Sequence, residues 1–154
     1  MIQTTILRHP KERLSKCSLE PLRGRAGYLF LKAKADLKVD VGGKMVLAVD
    51  APPISQEDGR RELVLLDSTW RLLPDLQKCL QGEPVYRSIP GNFETAYPRV
   101  SKVGDNPVGG LASVEALYLA IRLMGENRPE MLEAYHWRDE FLRINEKRLE
   151  ILEV

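Results

Sequence analysis

A chain of 154 residues, 44% hydrophobic and 29% charged, is long enough to bury a sizeable core as one compact domain or two small lobes, and its composition argues against disorder. The net charge of +1 excludes an overall basic nucleic-acid binder, but the charge is uneven: ten Lys and Arg against four acids up to Lys44 give that part +6 and leave −5 for the rest. Cys17 and Cys79 form no CxxC pair, no apolar run approaches a membrane span, and the first residues lack a signal-peptide core, so a cytoplasmic protein with reduced thiols, no metal site and no membrane partner is expected.

Residues 2–7 are short, apolar and β-branched, which predicts a strand ended by Pro10. Residues 11–22 read as a polar loop or short helix. Apolar runs at 28–31 and 44–50 predict two more strands, the second stopped by Pro52-Pro53. A charged loop follows at 57–61. Residues 62–66 are continuously apolar, as suits a strand buried on both faces of a parallel sheet. Helical spacing of Leu73, Leu76 and Leu80 predicts a helix within 69–80, kinked at Pro74 or starting there. A short strand is predicted at 84–89, then a long Gly-, Pro- and Asn-containing loop over 90–110. Residues 112–124 form a helix capped by Gly125, and Pro129 opens a last long helix to about residue 152. Strands first and helices later predict an α/β architecture, with no internal repeat.

Several chemistries lack their motif. There is no GxGxxG after a strand, no GxxxxGK[ST], no metal-ligand spacing, and His9 and His136 stand far apart. Asp67 remains, at the C-terminal end of the most buried strand, where ligand crevices of open α/β sheets lie. Asp67 can serve as a proton acceptor or cap the next helix; Trp70 can stack on a base or pack in the core, and the core is the preferred reading. Gly109-Gly110 entering a helix at Leu111-Ala112-Ser113 is either a ligand-approach turn or an ordinary cap.

Taken together these residues resemble a family. Asp67-Ser68-Thr69-Trp70 is similar to the Asp-Cys-Ser-Trp segment of the ribosomal RNA aminocarboxypropyltransferases and the Asp-x-Thr-Trp of the DTW-domain tRNA-uridine aminocarboxypropyltransferases. Leu111-Ala112-Ser113-Val114-Glu115-Ala116 resembles their Leu-Ser-Thr/Cys-x-Glu-Ala helix start. Pro10-Lys11 with Lys16-Cys17-Ser18 and Leu22, Arg87-Ser88-Ile89-Pro90, and Trp137 with Phe141 and Asn145 match three further segments in the same order. The family's Asn-Pro-Val-Asn-Tyr-Gly segment and the DTW cysteine cluster are absent, and Arg138 stands where the family has glycine after the late tryptophan, so the chain would be a divergent branch.

The resemblance implies a SPOUT-like, mostly parallel sheet with a C-terminal trefoil knot and helices, preceded by a small N-terminal α/β lobe, with lobes over 1–60 and 61–154 or one continuous domain. It implies an enzyme that uses S-adenosylmethionine to place a 3-amino-3-carboxypropyl group on a uridine-type base of structured RNA, rRNA or tRNA. Cofactor contacts would fall near Ser18, Leu66, Ile89, Leu111 and Ser113, with Asp67 catalytic. Arg8, Lys11, Arg13 and Lys16 would hold RNA phosphates. A SPOUT RNA methyltransferase and a non-catalytic RNA-binding ribosome-assembly factor are the alternatives.

Overall fold

Among the described residues, seven strands and four helices arise in chain order: β1 (Thr4–Arg8), β2 (Tyr28–Lys32), β3 (Val39–Asp40), β4 (Met45–Leu47), β5 (Leu63–Asp67), α1 (Leu73–Gln77), β6 (Leu80–Gln81), β7 (Val85–Arg87), α2 (Ser113–Leu123), α3 (Arg138–Ile144) and α4 (Glu146–Ile151). This is a computed structural model, and it describes residues 1–11, 18–69, 71–98 and 110–152. Five strands form one sheet in the order β2-β1-β5-β4-β7, every neighbouring pair parallel. Strands on both sides of residue 60 share this sheet.

All five residues of β5 are buried, the reason its apolar run does not alternate. Alternate residues of the sheet supply two cores. Ile6, Met45, Leu47, Leu63 and Leu65 pack with α2 and with Leu132, Phe141 and Leu149 on one face. Leu7, Val46, Val64 and Leu66 pack with Leu76 and Cys79 on the other. There the two-residue strands β3 and β6 pair in parallel beside α1. Neither strand is visible as a run in the sequence, because two residues carry no periodicity.

Helix α2 has its expected bounds. It ends in a Schellman motif: Gly125 N–H donates to Arg122 O at 3.0 Å and Glu126 N–H to Ile121 O at 3.0 Å, with Gly125 at φ +104°. A Cβ at Gly125 would meet no heavy atom within 4 Å, so Gly125→Ala costs backbone conformation alone. We expect a loss of about 1–2 kcal/mol in urea denaturation, and an unchanged midpoint would contradict this.

The expected long last helix is replaced by three pieces, a 3-10 turn over Pro129–Leu132, then α3 and α4. The break between α3 and α4 falls at Asn145. Its backbone leaves helical geometry at φ −106°, ψ 6°, and its Nδ2 donates to Phe141 O at 2.9 Å and to Glu94 O at 2.8 Å. A side chain that binds the backbone this way competes with the helix ladder. The charged loop near 57–61 is a 3-10 turn, Gln56–Arg60, in which Ser55 N–H donates to Asp58 Oδ2. Helix α1 begins beside Pro74, and Leu80 belongs to a strand rather than to that helix. The expected knot would run through the chain between Ile89 and Ser113, of which 99–109 lie outside the described residues.

Candidate active site at the C-terminal edge of the sheet

The parallel register aligns the ends of the strands. Arg8 sits opposite Asp67 on one side and Lys32 on the other. Met45 pairs with both Leu63 and Val85, and beyond β7 the chain leaves that register, with Ser88 bridging Pro53 just before Ile89. Asp67 shares the parity of Leu63 and Leu65, and therefore faces α2.

Asp67 is 6% exposed and both its oxygens are engaged. Arg8 Nε donates to Oδ2 at 3.2 Å, and Ser113 Oγ donates to Oδ1 at 3.1 Å. Ser113 is the first residue of α2, so the strand end and the helix start meet at this carboxylate. Ser18 lies at the same place: its Oγ accepts the Val114 N–H at 3.0 Å, an N-terminal cap supplied from 96 residues away. Ala112, which flanks α2, has no side-chain oxygen with which to do this.

Arg8 is buried, and its guanidinium also donates from Nη1 to Glu20 Oε2 at 2.6 Å and lies 5.0 Å from the Phe30 ring centroid. Arg23 completes the set, with Nε 2.9 Å from Glu20 Oε1 and its guanidinium 4.9 Å from the same ring. Arg8, then Arg23, hold the Glu20 carboxyl below its ordinary value of 4.5 by hydrogen bonding, against the opposing effect of burial. Glu20 therefore contributes stability above that value, which is lost as the pH falls through its lowered folded value. Arg8, Glu20, Arg23 and Phe30 line a cleft of about 340 Å³ with His9, Pro10 and Lys32.

The residues expected at the site separate as follows. Asp67, Ser113 and Ser18 converge, and Leu111 is buried in the same core just before α2. Ile89 packs half-buried against that core. Leu66 points its side chain into the opposite core, so only its backbone faces the Asp67 end. Lys11 is exposed, with its N–H donated to His9 Nδ1 at 3.1 Å. Arg13, Lys16 and Trp70 lie outside the described residues. Arg8, expected at RNA phosphates, is an interior partner of Asp67.

Two residues that matter most here were visible in the sequence only as motif positions. Glu115 is fully buried and accepts four hydrogen bonds: Thr95 Oγ1 at 2.6 Å, Ala112 N–H at 2.8 Å, Ala96 N–H at 2.9 Å and Tyr135 O–H at 3.0 Å. Asn145 accepts the Glu94 N–H at 2.9 Å while donating to Glu94 O. Between them they pin residues 94–96 to the α2 start and to α3. The signal that could have exposed Glu115 is its position as the third residue of a helix, from which a carboxylate reaches back to the preceding N–H.

The site therefore belongs to a parallel α/β fold with its polar groups at the carboxyl ends of the strands. Among solved structures the chain is similar to the SAM-dependent rRNA:acp-transferase Tsr3 from Vulcanisaeta distributa, with a TM-score of 0.72 and 23% identity over 97% of this chain and 82% of that chain. The likeness is one of fold. No family model matches the chain, and no curated protein matches it.

Proposed function

We propose that this chain is a SPOUT-like transferase that uses S-adenosylmethionine to place a 3-amino-3-carboxypropyl group on a uridine-type base of structured RNA, with rRNA as the first class to test. The observation that carries the proposal is the meeting of Asp67, at the end of β5, with Ser113, at the start of α2. It is supported by the motifs around both residues and by a fold like that of a protein described as an rRNA:acp-transferase.

The donor set suits such a cofactor. Ile89 and Leu111 would supply apolar contacts for an adenosine, and Asp67 a carboxylate to complement the cationic cofactor. Ser18 and Ser113 supply hydroxyls, and the backbone at Leu66 completes the edge. S-adenosylmethionine supplies carbons activated by the sulfonium, and which one reacts depends on which is presented in line to the nucleophile.

Asp67 accepts or orients the N3 proton of the base. S-adenosylmethionine bound here would supply the carbon that N3 takes up, with methylthioadenosine as the leaving group, and Asp67 would take the N3 proton. Arg8 and Ser113 hold the two oxygens of Asp67, so its orientation is set before the base arrives. Lys11, Arg13 and Lys16 contact RNA phosphates, and Arg8 acts through Asp67 as a positioning residue.

The test is Asp67→Asn, which keeps the shape and one acceptor. Turnover is expected to fall at least about 100-fold, while calorimetric binding of S-adenosylmethionine stays near normal. Unchanged turnover removes Asp67 from the mechanism. Product analysis separates the readings: S-adenosylhomocysteine alone identifies a methyltransferase, and RNA binding without cofactor binding or product favours a non-catalytic assembly factor.

A further inference from the structure

The opposite face of the same sheet edge carries a second cleft, of about 550 Å³, that the proposed reaction does not use. Its floor is His9, Ala33 and Cys79, all buried, and they continue the face of Leu7 and Leu31. Cys79 Sγ lies 3.7 Å from Lys34 O and from Asp75 O, which ties the β2 side of the cleft to α1. The rim carries Lys34, Lys38 and Lys78, all exposed. Among the described residues none of these three ammonium groups has a carboxylate within 4 Å. Lys38 Nζ instead reaches the Lys78 carbonyl at 3.5 Å.

The lining includes one carboxylate, Asp75, and its position is prescribed. The Lys11 N–H occupies His9 Nδ1, so the ring proton is on Nε2, which donates to Asp75 Oδ2 at 3.0 Å. That hydrogen bond, helped by the charges of Lys78 and Lys11, holds the Asp75 carboxyl below its ordinary value of 3.8. Three unpaired lysines against one committed carboxylate leave the cleft with an excess of positive charge.

His9 and Pro10 line both this cleft and the one lined by Arg8, whose Nε donates to Asp67. A polyanion lying along this sheet edge passes from one cleft to the other over His9 and Pro10. We propose that the Lys34–Lys38–Lys78 cleft docks the phosphodiester backbone of the RNA substrate next to the modified nucleotide, an inference that rests on the RNA-modifying reading. Flexible ammonium groups on an open rim suit a chain of phosphates that enters and leaves, and they carry no base selectivity.

The test uses the whole chain and a fluorescein-labelled stem-loop RNA with a uridine-containing loop. In Lys34→Gln/Lys38→Gln/Lys78→Gln, affinity near ~0.1 M salt should fall at least about tenfold, and the slope of log affinity against log salt should become shallower by about 2. Lys44→Gln/Arg60→Gln/Lys147→Gln removes as much charge from residues that do not line the cleft and should change little. Asp75→Asn keeps an acceptor for His9 and should bind the RNA more tightly.

An unchanged affinity and slope in the triple variant overturns the proposal, as does a wild-type protein that does not bind this RNA. If inorganic phosphate raises the melting temperature of the wild type but not of the triple variant, while both bind RNA equally, the cleft serves a small anion and the proposal fails. Calorimetry with S-adenosylmethionine is a separate readout. No cofactor heat alongside the expected loss of RNA binding sinks the transferase reading and leaves the docking cleft standing.

Discussion

Glu115→Ala is expected to destabilise the protein by about 4 kcal/mol. The carboxylate is completely buried and receives four donors, two from the backbone and two from hydroxyls. Truncation leaves them without their acceptor in a space too apolar to compensate, and each orphaned buried donor costs roughly 1–3 kcal/mol, with partial relaxation setting the sum. Glu115→Gln should cost about half as much, because one oxygen still accepts while the amide group now opposes donors. Urea denaturation measures the loss, and hydrogen exchange at the Ala96 amide reports whether residues 94–96 detach before the domain unfolds. A loss below about 1 kcal/mol would mean that these donors find other partners and that Glu115 does not organise the segment.

The second large effect concerns Arg8. Arg8→Met keeps much of the apolar stem but removes the guanidinium that lies over Phe30 and donates to the buried Asp67 at 3.2 Å. Removing one member of a buried ion pair typically costs about 3–5 kcal/mol, chiefly because the other charge stays uncompensated. The pair can be isolated by a double-mutant cycle. Arg8→Met in an Asp67→Asn background should cost roughly 1–3 kcal/mol less than in the wild type, since no uncompensated anion is then left behind. Additivity within a few tenths of a kcal/mol would show that the two side chains are energetically independent despite their contact. Turnover should also fall in Arg8→Met, as the Asp67 carboxylate loses a group that orients it.

The Arg8 and Glu115 predictions meet at the α2 N-terminus. Arg8 reaches it through Asp67 and Ser113, and Glu115 reaches it through the Ala112 N–H. Ser18 adds a third tie through Val114. This helix start is thus held by side chains from β1, β5, the segment after β1 and the helix itself. A ligand approaching it meets an arrangement set in advance, which is what a positional reaction at a sulfonium carbon requires.

Elements whose cause is local could be read from the sequence. The uninterrupted apolar run 63–66 needs burial on both faces, and β5 is buried throughout. Helix α2 combines a periodic apolar face with Gly125, and its ends fall where those two features put them. The acid at the end of the buried strand could likewise be singled out, since the alternation of strand and turn places Asp67 at the sheet's carboxyl edge.

What lay beyond the sequence depends on partners far away along the chain. The pattern after Pro129 is that of one long helix, but it breaks at Asn145, which bonds Glu94, 51 residues earlier, a contact that exists only once the sheet and helices have packed. Strands β3 and β6 are two residues each and are defined wholly by pairing with one another. Arg8 carries the charge of a surface contact and the burial of a core residue; only the β1–β5 register, which sets it opposite Asp67 at a separation of 59 residues, decides between them. Ser18 becomes a helix cap for the same reason, at a separation of 96. Local propensity and periodicity determined where strands and helices could form and which acid would stand at the sheet edge. Tertiary packing decided which polar groups would be buried together, because a buried charge or N–H must find its partner wherever the fold brings one within about 3 Å.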